Sequence, residues 1–152
     1  MTNPHTSYRE TDVRGASAVR LVVLLYEQLI QDLRHAAKAM ERNDIELRTH
    51  KLNHALDVIA HLQGSLNKKA GGAVANTIES FYNCLRANLL EAHCHASALG
   101  LARQITDLLT LREAWMEVDR AEAALAASKA VPLPRLVDHN SAHPAARADW
   151  NG

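Results

Sequence analysis

Apolar residues recur along this chain every three to four positions, in four stretches separated by short polar breaks, which is the period of an amphipathic helix and not of a strand. The first stretch starts at Ser17, a good N-cap, and runs to about Arg42, with Ala18, Val22, Leu25, Leu29, Leu33, Ala36 and Met40 on one arc. Asn43 and Asp44 break and recap the chain. A second helix then reaches about Lys68, carrying Ile45, Leu52, Ala55, Leu56, Ile59, Leu62 and Leu66, and Gly71-Gly72 ends it by permitting positive φ. The third helix is expected over 73–94, with Val74, Ile78, Phe81, Leu85, Leu89 and Ala92 as its stripe; Ser97 caps a fourth that holds Leu101, Ile105, Leu108, Trp115 and Met116. No proline falls between Pro4 and Pro132 to interrupt them. Short connections make neighbours antiparallel, so the pattern predicts an all-α, antiparallel four-helix bundle over 17–126. A flexible N-terminal segment at 1–16 precedes it. A disordered tail at 127–152 follows, with three prolines and no periodicity to bury. The chain has no internal repeat.

The first helix carries more apolar surface than a bundle seam requires. Val23, Tyr26, Ile30 and Ala37 lie roughly 80° to 100° around from its main stripe, and the third helix repeats the pattern with Ala75 and Tyr82. Two readings account for the width. Helix one is the central, most buried helix, or its second arc is a groove for an amphipathic helix of another protein, read through anchors at i, i+3/i+4 and i+7. Tyr26 and Tyr82 suit the rim of such a groove, each with an apolar ring and a wet hydroxyl. Tyr8 and Val13 are apolar points on a polar leader and unfavourable to leave in water; they are expected to fold back over the groove as a detachable plug.

Composition narrows the partners. The 152 residues are 47% hydrophobic, enough for one core and one domain. Lys and Arg number 17 against 17 Asp and Glu, leaving no net field to attract nucleic acid or an anionic membrane. The leader MTNPHTSYRE has no basic region followed by an apolar one, and the longest apolar run, Leu21 to Tyr26, is far too short to span a bilayer. A cytoplasmic protein without membrane insertion is expected. Cys84 and Cys94, ten residues apart on helical sequence, would lie about 15 Å apart along the axis, beyond disulfide reach. They are expected to be reduced packing residues.

Candidate chemistry is sparse. His50, His54, Asp57 and His61 share one face of helix two, a spacing that suits a divalent cation. That face lies about 165° from the apolar stripe, toward solvent, and no Glu-x-x-His motif of the inward-facing di-metal bundles occurs. A solvated polar face is the preferred reading over a metal-binding bundle. His93 and His95 fall at the end of helix three, where cations are favoured by the helix dipole. No Ser/His/Asp or Cys/His constellation and no Gly-rich phosphate loop has supporting context. Catalytic residues, a cofactor and a metal are therefore not expected.

Over about residues 8 to 118 the landmarks resemble those of the flagellar export chaperone family FliS. Tyr8, Val13, Ala16-Ser17, Leu21-Val22 and Leu25-Tyr26 are similar to the family's N-terminal tyrosine, "A-S" helix start and "L-Y" pair. After Asn43-Asp44, the stretch ALDVIAHLQGSL, with Ala55 and Ile59 to Leu66, resembles "I-x-x-L-x-x-S-L". FYNCLRANLLEA, through Tyr82, Leu89 and Ala92, resembles "L-Y-x-Y-x-x-x-x-L-x-x-A", and LLTLREAWMEV resembles the closing "L-R-E-A-W". Glu27-Gln28 stands where the family usually has Asp-Gly, His61 where an acidic residue precedes Leu62, and Cys84 where a second aromatic follows Tyr82. The resemblance implies a non-enzymatic bundle that holds the C-terminal disordered segment of flagellin, keeps it from polymerising early and delivers it to the flagellar type III export gate. The groove expected for that client comprises Leu21, Leu25, Tyr26, Ile30, Ile59, Leu62, Leu66 and Tyr82, with Tyr8 and Val13 as its plug. A regulatory adaptor for another helical client, such as an anti-sigma factor, is the alternative within that architecture. The residues leave a monomer and a weak homodimer both open.

Overall fold

The computed structural model describes residues 17–129 as four helices: α1 (Ala18–Glu41), α2 (Ile45–Ser65), α3 (Lys68–Cys94) and α4 (Ala98–Lys129). No strand occurs among the described residues. The expected flexible leader and residues 130–152 of the expected tail lie outside them. Residues 127–129, expected in the tail, continue α4, as the alanine-rich stretch AEAALAASK favours. The chain divides after Arg120 into two compact units; within the second, the described residues 121–129 are helical and exposed.

Local caps fix most of the boundaries. Ser17 Oγ accepts a hydrogen bond from the Arg20 N–H at 3.1 Å, and Asp44 Oδ1 accepts from the Leu47 N–H at 3.1 Å, each satisfying an orphan donor of a first turn. Ser97 Oγ does the same for the Gly100 N–H at 2.9 Å. The α2–α3 boundary departs from expectation. The chain turns at Leu66-Asn67, where Asn67 Oδ1 accepts from the Ala70 N–H at 3.1 Å and restarts a helix at once. Gly72 (φ 53°, ψ −128°) then makes a kink inside α3 instead of ending α2.

The core gathers Tyr26, Leu29, Ile30, Leu33, Ala36 and Met40 of α1 with Leu52, Ala55, Val58, Ile59 and Leu62 of α2; Tyr82, Leu85, Leu89 and Ala92 of α3, and Leu101 and Leu108 of α4, complete it. Each fully buried leucine or isoleucine contributes about 1.5–3 kcal/mol of transfer free energy. On α1 the buried arc is centred between the two arcs of the sequence pattern: Val23, Tyr26 and Ile30 are inside, whereas Ala18 is exposed and Val22 and Leu25 are half-buried. On α3, Ala75 and Tyr82 are buried and Val74 is 66% exposed. Ile45, expected on the inner stripe of α2, is exposed in its first turn. Helix one is thus the most extensively buried of the four, and burial accounts for most of its apolar width.

One charged side chain enters this interior. Asp32 is 1% exposed; its Oδ1 accepts from Gln28 Nε2 at 3.2 Å, and its Oδ2 meets Nδ1 of His54 at 2.5 Å. His54, exposed like His50, Asp57 and His61, reaches from that solvent-facing stripe to the buried carboxylate through Nδ1. Cys84 and Cys94 are free and exposed, not packing residues. Among the described residues, no three His, Cys, Asp or Glu side chains are grouped to hold a metal ion. No helix among them is long and apolar enough to cross a membrane.

Candidate functional site

The antiparallel order brings the start of α1, the end of α2, the start of α3 and residues 111–119 of α4 to one end of the bundle. Polar ties join α2 to α3 and α1 to α4. Gln63 on α2 donates to Asn83 Oδ1 at 2.7 Å and accepts from Arg86 Nη2 at 2.6 Å, and within α3 Lys68 pairs with Glu79 at 2.8 Å across the kink. Arg112 on α4 grips Glu27 of α1 through Nη2 at 2.7 Å and Nε at 3.1 Å. Ser17 Oγ donates to Asp119 Oδ1 at 3.0 Å, so a single hydroxyl caps α1 and ties it to α4.

Behind these ties lies an aromatic cluster. The hydroxyls of Tyr26 and Tyr82 are 2.9 Å apart, their rings meet edge to face with centroids 6.3 Å apart, and Phe81 lies 5.9 Å from Tyr82. Burial pushes the Tyr26 phenol above its ordinary pKa of 10.0, with hydrogen bonding from Tyr82 and Trp115 pulling it partly back. Burial, and then the neighbouring Tyr26, push Tyr82 up as well. Both phenols stay neutral and serve as packed polar links.

Of the residues expected to line a groove, Tyr26, Ile30, Ile59, Leu62 and Tyr82 are buried in the core, where they meet one another. Leu21, Leu25 and Leu66 are half-buried; Leu25 and Leu66 pack directly against that core. Tyr8 and Val13 lie outside the described residues. Leu24, at 40% exposure, extends the outward row of α1, since Leu21, Leu24 and Leu25 are spaced i, i+3, i+4. Ile78, Phe81, Leu111 and Trp115 are also half-buried against the core. The apolar stripes contain Ile78, Phe81 and Trp115 but not Leu21, Leu24 or Leu111, and periodicity does not separate the outer members from the inner ones. The site is an apolar, partly wet surface on a rigid floor. Such a surface can hold an amphipathic segment of another chain.

The comparisons with known proteins agree with this architecture. A family model described as "Flagellar protein FliS" matches residues 1–122. The flagellar secretion chaperone FliS of Bacillus subtilis is 26% identical over 121 residues, covering 79% of this chain and 89% of that protein. The flagellar secretion chaperone FliSB of Pseudomonas aeruginosa is 28% identical over 106 residues, 70% of this chain and 84% of its own. The Salmonella typhimurium chaperone FliS is 24% identical over 110 residues, 72% and 82% of the two chains.

Proposed function

The chain belongs to the FliS family of flagellar secretion chaperones, and on that premise we propose that it binds the C-terminal segment of flagellin in the cytoplasm, prevents its premature polymerisation and hands it to the flagellar export gate. The observation that carries this reading is the row of leucines on α1, Leu24 exposed and Leu21 and Leu25 half-buried, set over a core buried within the bundle. Leu21, Leu24 and Leu25 offer anchors at the spacing an amphipathic helix reads. Leu66 adds a contact from the end of α2, and Tyr26, Ile30, Ile59, Leu62 and Tyr82 hold the floor beneath. Tyr8 and Val13 act as the lid that the client displaces.

The terminal segments of flagellin are amphipathic and associate with one another, so a chaperone lends the apolar face that the filament would otherwise supply. Ordering of the client on binding offsets part of the interface energy, which keeps release at the export gate within reach. Calorimetry of the full chain against a peptide from the C-terminus of its own organism's flagellin tests the reading. Saturable binding is expected, and absence of heat at high micromolar concentration would sink it.

A further inference from the structure

At the other end of α1, an open groove of about 280 Å³ runs between its last turns and the first turns of α2. Its α1 wall is His35, Lys38, Ala39 and Arg42, spaced i, i+3, i+4 and i+7; its α2 wall is Leu47 and Lys51, spaced i, i+4. No carboxylate lines it. Among the described residues, the ion pairs of the bundle leave Lys38, Arg42 and Lys51 without an acidic partner. The neighbouring acidic residues Glu41, Asp44 and Glu46 do not line it, and the Asp44 carboxylate is occupied in capping α2. The dipole of α1 accounts for cations in its own last turn, but not for His35 or for Lys51 across the groove.

We propose that this groove is a second docking site, for an acidic amphipathic segment of a partner protein other than the client. Three cations and a histidine around the exposed Leu47, with the buried Ala39 at the floor, complement carboxylates flanking an apolar side chain, and charge complementarity of this kind sets both encounter rate and register. The undescribed parts of the chain do not fit it. Residues 1–16 hold Arg9 and Arg14 against Glu10 and Asp12, and residues 130–152 hold Arg135 and Arg147 against Asp138 and Asp149, so neither carries an acidic run. The groove lies about 20 Å along α1 from Leu25, by helical rise from residue 25 to 38. The two sites share no lining residue, so a client on the leucine row leaves this groove open to an acidic partner.

The test is an anisotropy titration of the full chain with a labelled amphipathic helix of leucine and glutamate, beside the same peptide with glutamine in place of glutamate and a single-stranded oligonucleotide. The acidic peptide is expected to bind, and the glutamine peptide to bind at least about tenfold more weakly. K38E/R42E should weaken the acidic peptide by about tenfold or more, and salt should weaken it further, while affinity for the flagellin peptide is unchanged. Should K38E/R42E lower the melting midpoint, Lys51→Glu reads the same wall from α2. Equal binding of the two peptides, indifference to both variants, or an oligonucleotide that binds as well as the acidic peptide overturns the proposal. So does sedimentation that shows a homodimer dissociated by K38E/R42E, since a second copy would then be the occupant.

Discussion

The phenol oxygens of Tyr26 and Tyr82 lie 2.9 Å apart inside the bundle and tie α1 to α3 across 56 positions of sequence. Both are buried, Tyr26 at 0% and Tyr82 at 1% exposure, and Tyr26 also bonds to Trp115. Tyr26→Phe should destabilise the fold by about 1–2 kcal/mol, because it orphans the Tyr82 hydroxyl, and Tyr82→Phe by less, because Trp115 still answers Tyr26. The double variant should lose less than the sum, as coupled partners do. Urea denaturation of the four proteins closes the cycle; additive losses would refute the link.

The same pair makes stability fall in alkali. Both phenols have pKa values raised in the fold by burial, so the unfolded chain releases their protons first. The stabilisation is complete below pH 10, where phenols are neutral in both states, and is lost progressively as pH rises above the ordinary value of 10.0. Denaturation midpoints between pH 8 and 11 should drop in the native chain and drop less in the double Phe variant.

Asp32 is sensitive to the loss of its partner. His54→Ala leaves a carboxylate that is 1% exposed with only Gln28 to answer it, and should destabilise by about 1–3 kcal/mol. Adding Asp32→Asn to that variant removes the buried charge and should recover part of the loss. A double variant less stable than His54→Ala would contradict the arrangement.

Neighbouring positions of α1 separate binding from folding. Leu24→Glu acts on a side chain that is 40% exposed and should weaken the flagellin peptide by at least about 1 kcal/mol with little change in melting. Tyr26→Ala removes a side chain from the core and should cost about 3–5 kcal/mol of stability. Deleting residues 1–15 should tighten peptide binding if Tyr8 and Val13 form a lid; unchanged affinity removes the lid.

Gly72 has φ 53° and ψ −128°, with open space where a Cβ would sit. Gly72→Ala should therefore destabilise by about 1–3 kcal/mol through backbone strain alone. An unchanged melting midpoint would show that the kink is dispensable.

Helix starts were legible wherever a cap stands alone, as at Ser17, Asp44 and Ser97, because the signal lies within four residues of its effect. Asn67 carries the same signal, but Gly71-Gly72 nearby masked it, and the glycine pair proved to be a kink. The apolar arc of α1 was legible in width but not in direction, since the centre of a wide arc depends on where α2 and α3 pack. Tyr26 and Ile30, expected in the groove, therefore lie in the core. The Asp32–His54 contact spans 22 positions and two helices, which no periodicity within one helix reports. The outer parts of the candidate site, Phe81 and Trp115, looked like core for the same reason: their stripes do not say where a bundle ends.

In one turn of α1, Tyr26 serves the interior, Leu24 meets the outside and Leu25 packs between the two. On the proposed reading, folding and recognition constrain neighbouring positions that meet at Leu25. A lineage can retarget this helix by exchanging a handful of outward side chains while the melting temperature stays where it is. Divergence among such chaperones should accumulate on that outward row, ahead of the phenols that it rests on.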